Sequence, residues 1–489
     1  MDRTIDFIII AVYLFGVAVF GLVTGGKQKT VDDYFLGAKK IPWWIVSFSI
    51  VATETSSLTF ISIPGLAYLT NFNFLQLAFG FLLGRIFIAY YLLPSYFQGE
   101  FTTAYSYLGK RFGNKTRTYA SIVFLFTRTA ADSVRLFATA IPLKLLLNIS
   151  YPEAILIIAA VALLYTITGG LKSVIWVDAV QMLVYIGGAL IAIYFLLFRL
   201  IPGGWDTVVN FKNIGEKVSV INWEFSGGIK GFFSTPYTFI AGLIGGGLLS
   251  MASHGTDQLI VQRLLATKDL SKSQRAIIGS GVLIIIQFAI FLFLGVLLFV
   301  LYKGASLHSL GLTKSDEIFP QFIINKIPVG ISGIIIAGLL AAAMSTLAGS
   351  ISALSSSTML DIFPLFKKKF SETKKLKISR MFSLMWAVIL IFAALLFLET
   401  STSVVELALS IASYTYGGLL GTFLLGRFVK KAKQEDALAG FTAGIFVMIS
   451  VIMLHIVAWT WFLLIGVSIT VFVGSLLSSI PKGNNKHDI

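Results

Sequence analysis

Hydrophobic and polar residues are segregated along this chain in long blocks, with neither the 3.6-residue stripe of a surface helix nor the alternation of a half-buried strand. Thirteen stretches stay apolar for about 20 residues, the length a helix needs to cross a hydrocarbon layer of about 30 Å. They lie roughly at 5–24, 43–66, 73–98, 117–146, 150–169, 173–200, 234–262, 276–302, 329–358, 378–398, 403–427, 437–456 and 458–480. No polar segment between them is long enough to fold alone. The pattern predicts an all-α polytopic membrane protein, one transmembrane domain over residues 1–489. The amino terminus, MDRTID ahead of IIIAVYLFGVAVFGLV, has no small-residue cleavage site and reads as a retained first span.

Two of the stretches are unlike simple lipid-facing helices. The second, IVATETSSLTFISIPGLAY, carries Glu54, a run of hydroxyls and Pro64-Gly65. The seventh, FIAGLIGGGLLSMASHGTDQ, carries Gly242 and Gly245 to Gly247 ahead of Ser253, His254, Thr256 and Asp257. Counted from the second span, these open two groups of five that enter the membrane from opposite sides. The arrangement predicts an inverted-repeat core at about 43–200 and 234–427, with extra helices at 5–24, 437–456 and 458–480. Small residues in either span alone would suit ordinary helix packing. Interrupted segments at matching places in both halves point to a transporter's central site.

Composition and charge narrow the class. Of the 489 residues 56% are hydrophobic and 12% charged, with mean hydropathy +0.87. A soluble domain carries about 25% charged residues, so lipid is the solvent that fits. The net charge of +15 would suit nucleic acid, but the basic residues sit in alternate short loops. Those loops hold Lys27, Lys29, Lys39 and Lys40; Lys110, Arg111, Lys115 and Arg117; Arg263, Lys268, Lys272 and Arg275; Lys367 to Lys369, Lys374, Lys375 and Lys377; and Arg427, Lys430, Lys431 and Lys433. The loops near Asn71, Asn148 and Thr402 are nearly uncharged. By the positive-inside rule the amino terminus lies outside and the carboxyl terminus in the cytoplasm. There is no cysteine, and His254, His308, His455 and His487 are scattered, which excludes thiolate sites and argues against a metal cluster.

The ninth span, GLLAAAMSTLAGSISALSSST, carries the clearest chemistry. Ala342, Ser345 and Thr346 stand at i, i+3 and i+4 and share one helix face. Sodium is a hard cation that takes several oxygen ligands. Two hydroxyls and the carbonyls of a neighbouring unwound helix supply them; the partner at matching depth is the second span near Ala52 and Thr55. The alternative is that the hydroxyls only bond back to their own helix. Intramembrane charges are costly and normally paired. Here Glu54 and Asp132 face Arg85, Arg128 and Arg135, which leaves one cation unmatched. Either an anionic or zwitterionic solute completes the balance, or the charges form a closed network that positions helices.

The segments DDYFLGAKK (32–40), VATETSSLTFISIPG (51–65), GGLKSVIWVDAVQ (169–181), DQLIVQRLLATKDLSKSQRAI (257–277) and AAAMSTLAGSISA (341–353) together resemble the sodium/solute symporter family over nearly the whole chain. The resemblance implies the five-plus-five inverted repeat of the leucine-transporter type, alternating access, and a sodium ion held between the first and eighth core helices. Carried to this sequence, the ligands are the carbonyls of Ala52, Thr55 and Ala342 and the hydroxyls of Ser345 and Thr346. Some relatives bind a second sodium near an aspartate that corresponds to Asp178; this chain has Ala348 and Gly349 where that site needs hydroxyls. The resemblance therefore implies one sodium per cycle, with Asp178 tuning the first site or anchoring its helix near the cytoplasmic interface.

The stretch SSLTFISIP is most similar to the sialic acid carriers of the family. Their carboxylate-clamping arginine falls on Ala131, with Arg128 and Arg135 about a turn away on either side, and Glu54 falls on a neutral residue. The solute is expected to differ from sialic acid. Ser56, Ser57, Thr59, Phe74 and Gln76, with Glu54, Arg128 and Asp132, are the expected pocket residues. No nucleophile–base pair or metal motif points to an enzyme, and no selectivity ring to a channel. A proton-coupled carrier on the same fold, using Glu54 and Asp132, and a sodium/sugar symporter are the alternatives. The expected partners are a small solute and membrane lipid, with no nucleic acid and no obligatory protein, in a bacterial plasma membrane.

Overall fold

A computed structural model describes residues 3–480 apart from 148, 225–226, 367–369 and 398–403. Lys367 to Lys369, Asn148, Thr402 and the tail with His487 therefore lie outside the described residues. Among the described residues the chain is helical throughout: α1 (Thr4–Gly25), α2 (Val31–Leu36), α3 (Trp43–Glu54), α4 (Ser57–Leu69), α5 (Leu75–Phe87), α6 (Leu93–Gln98), α7 (Ala104–Phe112), α8 (Asn114–Leu147) and α9 (Tyr151–Phe195). The order continues with α10 (Gly204–Val209), α11 (Ile214–Lys217), α12 (Gly228–Ser234), α13 (Phe239–Gly255), α14 (Gln258–Leu265), α15 (Leu270–Leu301) and α16 (Ile318–Lys326). It ends with α17 (Ile331–Ser357), α18 (Glu372–Leu395), α19 (Val404–Phe428), α20 (Gln434–Met453) and α21 (Phe462–Ser479).

Eight of these helical stretches are long and apolar enough to cross a membrane, and two bent pairs also qualify if each is one span. At 1.5 Å per residue, the 45 residues of α9 would be about 68 Å long, twice the hydrocarbon thickness. The chain turns at Gly170 (φ +59°), where a Cβ would come within 2.6 Å of the Tyr34 carbonyl oxygen. The expected separate spans at 150–169 and 173–200 meet at that turn.

Burial sorts the helices. In the apolar window of α17, 89% of residues are buried, against 22% in α1, so α17 runs through the centre and α1 along the periphery. α17 packs chiefly on α9, and α5 on α13. The second contact is backbone against backbone: a Cβ on Gly84 would lie 2.3 Å from the Gly247 carbonyl oxygen, and one on Gly80 2.5 Å from that of Gly242. In lipid such close approach replaces the hydrophobic effect as the source of helix association. Asp6 of α1 is buried and caps α17, accepting from Gly330 N (2.7 Å), Gly333 N (2.8 Å) and Ser332 Oγ (2.7 Å). A carboxylate at a helix N-terminus satisfies orphan amides and complements the dipole.

Candidate functional site

Both unusual spans are broken where their sequences turn polar. α3 ends at Glu54; Thr55 (ψ 95°) and Ser56 (ψ 168°) are extended, and α4 starts at Ser57. α13 ends at Gly255 and α14 begins after Thr256 and Asp257, whose carboxylate caps it through Leu259 N at 2.8 Å. A break leaves the last carbonyls of the first half-helix without helical amides. Mid-membrane, such carbonyls persist only where the protein or a bound ion satisfies them.

The α3 break faces α17. Thr346 Oγ1 lies 3.4 Å from the Thr53 carbonyl oxygen and 3.2 Å from that of Ala342, tying the two helices together. Ala52, Thr55, Ala342, Ser345 and Thr346 are all buried. The side chain of Thr55 is held from the far side: Gln287 of α15 donates to its Oγ1 at 2.6 Å, and Tyr185 of α9 donates to Gln287 Oε1 at 2.6 Å. Ser345 donates to Asp178 Oδ1 at 2.7 Å. A hydroxyl has one proton and two lone pairs, so this bond leaves the Ser345 oxygen lone pairs for another partner.

Asp178 is fully buried. Its Oδ2 accepts from Ser49 (2.6 Å), Thr53 (3.2 Å) and Arg263 (3.0 Å). The loop pattern counts Arg263 among the basic loop residues; in the structure it is wholly buried in α14, within the core. Asp178, Arg263, Ser49 and Ser345 join α9, α14, α3 and α17 in one cluster. All of α14 is buried, and its Gln258 and Gln262 bond to Ser356 (3.1 Å) and to the Phe35 carbonyl oxygen (2.8 Å).

A second charged cluster lies along α8. Arg128 pairs with Asp132, Arg135 with Asp132 at 2.9 Å, and Ser350 of α17 donates to the same aspartate. Arg128 also reaches Asp257 at 3.4 Å, and Tyr416 of α19 donates to Asp257 at 2.6 Å. Glu54 pairs with Arg85, and His254 Nε2 lies 3.3 Å from Glu54 and 3.0 Å from Arg85. The expectation of one unmatched cation is therefore wrong. Asp257 is the third carboxylate, brought to Arg128 from 129 residues away, and the three guanidinium groups of the count are balanced.

A small cavity opens between α8, α14 and α19, lined by Arg128, Ala131, Arg135, Asp257 and Tyr416 among others. Arg128 Nη2 is buried and has no hydrogen-bond partner among the described residues. Of the other expected pocket residues, Ser57 bonds to Thr139 of α8, while Glu54 and Thr59 are partly exposed and Ser56 is buried. Gln76 is wholly buried: it donates to the carbonyls of Asn73 (2.9 Å) and Tyr237 (3.2 Å) and accepts from Asn222 N (3.0 Å). Phe74 packs on Tyr237 and Phe288. The structure thus places Gln76 and Phe74 under the segment before α13. Sequence reasoning missed Arg263, Ser49, Gln287, Tyr185 and Tyr416; for Arg263, a guanidinium next to an apolar helix was the available signal.

The model of the sodium:solute symporter family matches residues 34–444. The sodium/sialic acid symporter SiaT of Proteus mirabilis is 28% identical over 449 residues, 91% of this chain and 89% of the relative. The sodium/sialic acid symporter NanT of Aliivibrio fischeri is 27% identical over 489 residues, 99% and 95% of the two chains. A solved structure of a Na+-coupled sialic acid symporter, substrate-bound and outward-open, matches with a TM-score of 0.86 at 26% identity, covering 98% of each chain.

Proposed function

We propose a coupling seat and a solute class from one premise: the chain belongs to the sodium:solute symporter family and is a sodium-coupled symporter that works by alternating access. The seat is the crossing of α3 and α17, with the carbonyls of Ala52, Thr55 and Ala342 and the hydroxyls of Ser345 and Thr346 as ligands. Its support is the coincidence of a helix break, two adjacent hydroxyls and the Ser345–Asp178 bond that turns the serine proton away. One sodium moves per cycle.

The solute is a small zwitterion that carries a carboxylate. The observation that carries this reading is Arg128 Nη2, a buried donor without a partner on the cavity between α8, α14 and α19. An unpaired buried donor costs about 1–3 kcal/mol, and a carboxylate oxygen is its strongest partner. Because Asp257 balances the arginines, the wall calls for no net negative charge. The solute body would extend from this small cavity toward the partly exposed Glu54, Thr59 and Arg135. With zero net charge, one sodium makes the step electrogenic. A potential of about 100 mV contributes about 2.3 kcal/mol and a tenfold sodium gradient about 1.4 kcal/mol. Together they support accumulation of several hundredfold.

The core repeats at about 43–200 and 234–427, and an orientation with the amino terminus outside a bacterial plasma membrane, complete the reading. Its test is a thermal-shift screen of purified protein in sodium or choline chloride. Zwitterionic amino acids and betaines, monocarboxylates, acidic sugars and neutral sugars form the arms. Sodium-dependent stabilisation by a zwitterion is expected. Stabilisation by neutral sugars alone refutes the carboxylate role of Arg128.

A further inference from the structure

We propose that Arg263 is the built-in counter-cation of Asp178 and, through that carboxylate, a positioning residue for the transported sodium. The inference rests on the seat described above and concerns a residue that touches neither ion nor solute.

Three nitrogens of the Arg263 guanidinium are committed. Nε donates to Ser49 Oγ at 2.9 Å, Nη1 to the Leu259 carbonyl oxygen at 2.6 Å, and Nη2 to Asp178 Oδ2 at 3.0 Å. Ser49 in turn donates to the same Asp178 oxygen at 2.6 Å. Both charged side chains are wholly shielded from solvent. A buried carboxylate without a counter-charge is strongly unfavourable and takes up a proton or a cation; at Asp178 the fold supplies the cation covalently. The planar fork reads Asp178 and Ser49 together, which a lysine cannot do.

The place of the guanidinium is made by a missing side chain. A Cβ on Gly349 would lie 2.6 Å from Arg263 Nη2, 3.0 Å from Leu259 Cδ1 and 3.2 Å from Thr53 Cγ2. Any side chain there would displace the arginine. Gly349 lies one helical turn after Ser345, on the helix that presents the seat hydroxyls. The absent side chain and the resident guanidinium are therefore one device: the space at Asp178 that a second metal ion would need is already filled by positive charge.

Held this way, Asp178 keeps Oδ1 for the Ser345 proton. The serine lone pairs then face the seat, and the carboxylate behind them raises the basicity of the oxygen, as a second layer of partners does in metal sites. Arg263 thus acts on sodium through two bonds, Arg263–Asp178 and Asp178–Ser345.

Equilibrium binding of 22Na+ to the purified chain tests this without a solute. The wild type should bind one sodium per chain, and Ser345→Ala with Thr346→Ala none; a wild type that binds none removes the seat itself. Arg263→Gln removes the counter-cation of Asp178 and should shift the sodium midpoint by about tenfold or more, while Arg263→Lys, which retains the charge, should stay closer to the wild type. Equal midpoints in the wild type, lysine and glutamine variants overturn the proposal and leave the seat standing. Should Arg263→Gln not fold, the neutral pair Asp178→Asn with Arg263→Gln decides. It should bind one sodium with a midpoint about 10–100-fold higher; an unchanged midpoint refutes the positioning role.

Discussion

Removing both seat hydroxyls, Ser345→Ala with Thr346→Ala, separates ion binding from the architecture around it. Neither side chain fills much volume; both lie on buried α17, where each also makes one bond to a neighbouring helix. Each oxygen offered to the cation is a contact with a charged group, worth about 1.5–3 kcal/mol, or about 10- to 150-fold in affinity. The two residues are adjacent, so their effects need not add; a weakening of at least about 100-fold is expected. Sodium at 100 times its Kd stabilises the wild type by about 2.7 kcal/mol. The same concentration at a Kd raised 100-fold yields about 0.4 kcal/mol. A sodium titration of the melting temperature, with choline chloride holding ionic strength, reads this loss directly. Thr346→Ser retains the oxygen and should keep the shift. A double variant whose sodium midpoint lies within threefold of wild type would refute the seat.

Four further outcomes follow from the same contacts. Arg128→Lys keeps the charge beside Asp132 and Asp257 but loses the free Nη2 donor; solute affinity should fall about tenfold or more while the sodium-induced shift persists. Gly84→Ala drives a Cβ against the Gly247 carbonyl and should lower stability by about 1–3 kcal/mol, seen as an earlier melt in detergent. Asp6→Ala strips the cap from α17 and should lower stability by about 2 kcal/mol, with Asp6→Asn in between. In the loop before α16, burial pushes the Asp316 carboxyl up, with Lys314 partly offsetting it. A raised folded-state pKa means stability present at low pH is lost as pH rises through it. Asp316→Asn should therefore melt later than wild type at neutral pH, with the gap closing in acid.

The membrane class, the two polar spans and the adjacent hydroxyls of α17 were legible because each is local. Apolar blocks of span length, a polar run with Pro64-Gly65, and Ser345 beside Thr346 on one face can all be read within one turn or one helix. Gln76 shows the limit of that method, since its partners at Asn222 and Tyr237 come from a segment about 150 residues away. Arg263 shows the same, since its position between an apolar run and a basic loop gives no sign of a partner 85 residues away.

By itself, the sequence determined that lipid is the solvent and that two spans carry polar interruptions. These follow from hydropathy and from the periodicity of one helix, which do not depend on the rest of the chain. Only the tertiary structure decided how the buried charges pair: Asp257 with Arg128, Glu54 with Arg85, and Asp178 with Arg263. Pairing is a matter of distance between helices remote in sequence, and in a low-dielectric interior a few ångströms decide whether a charge is compensated or free.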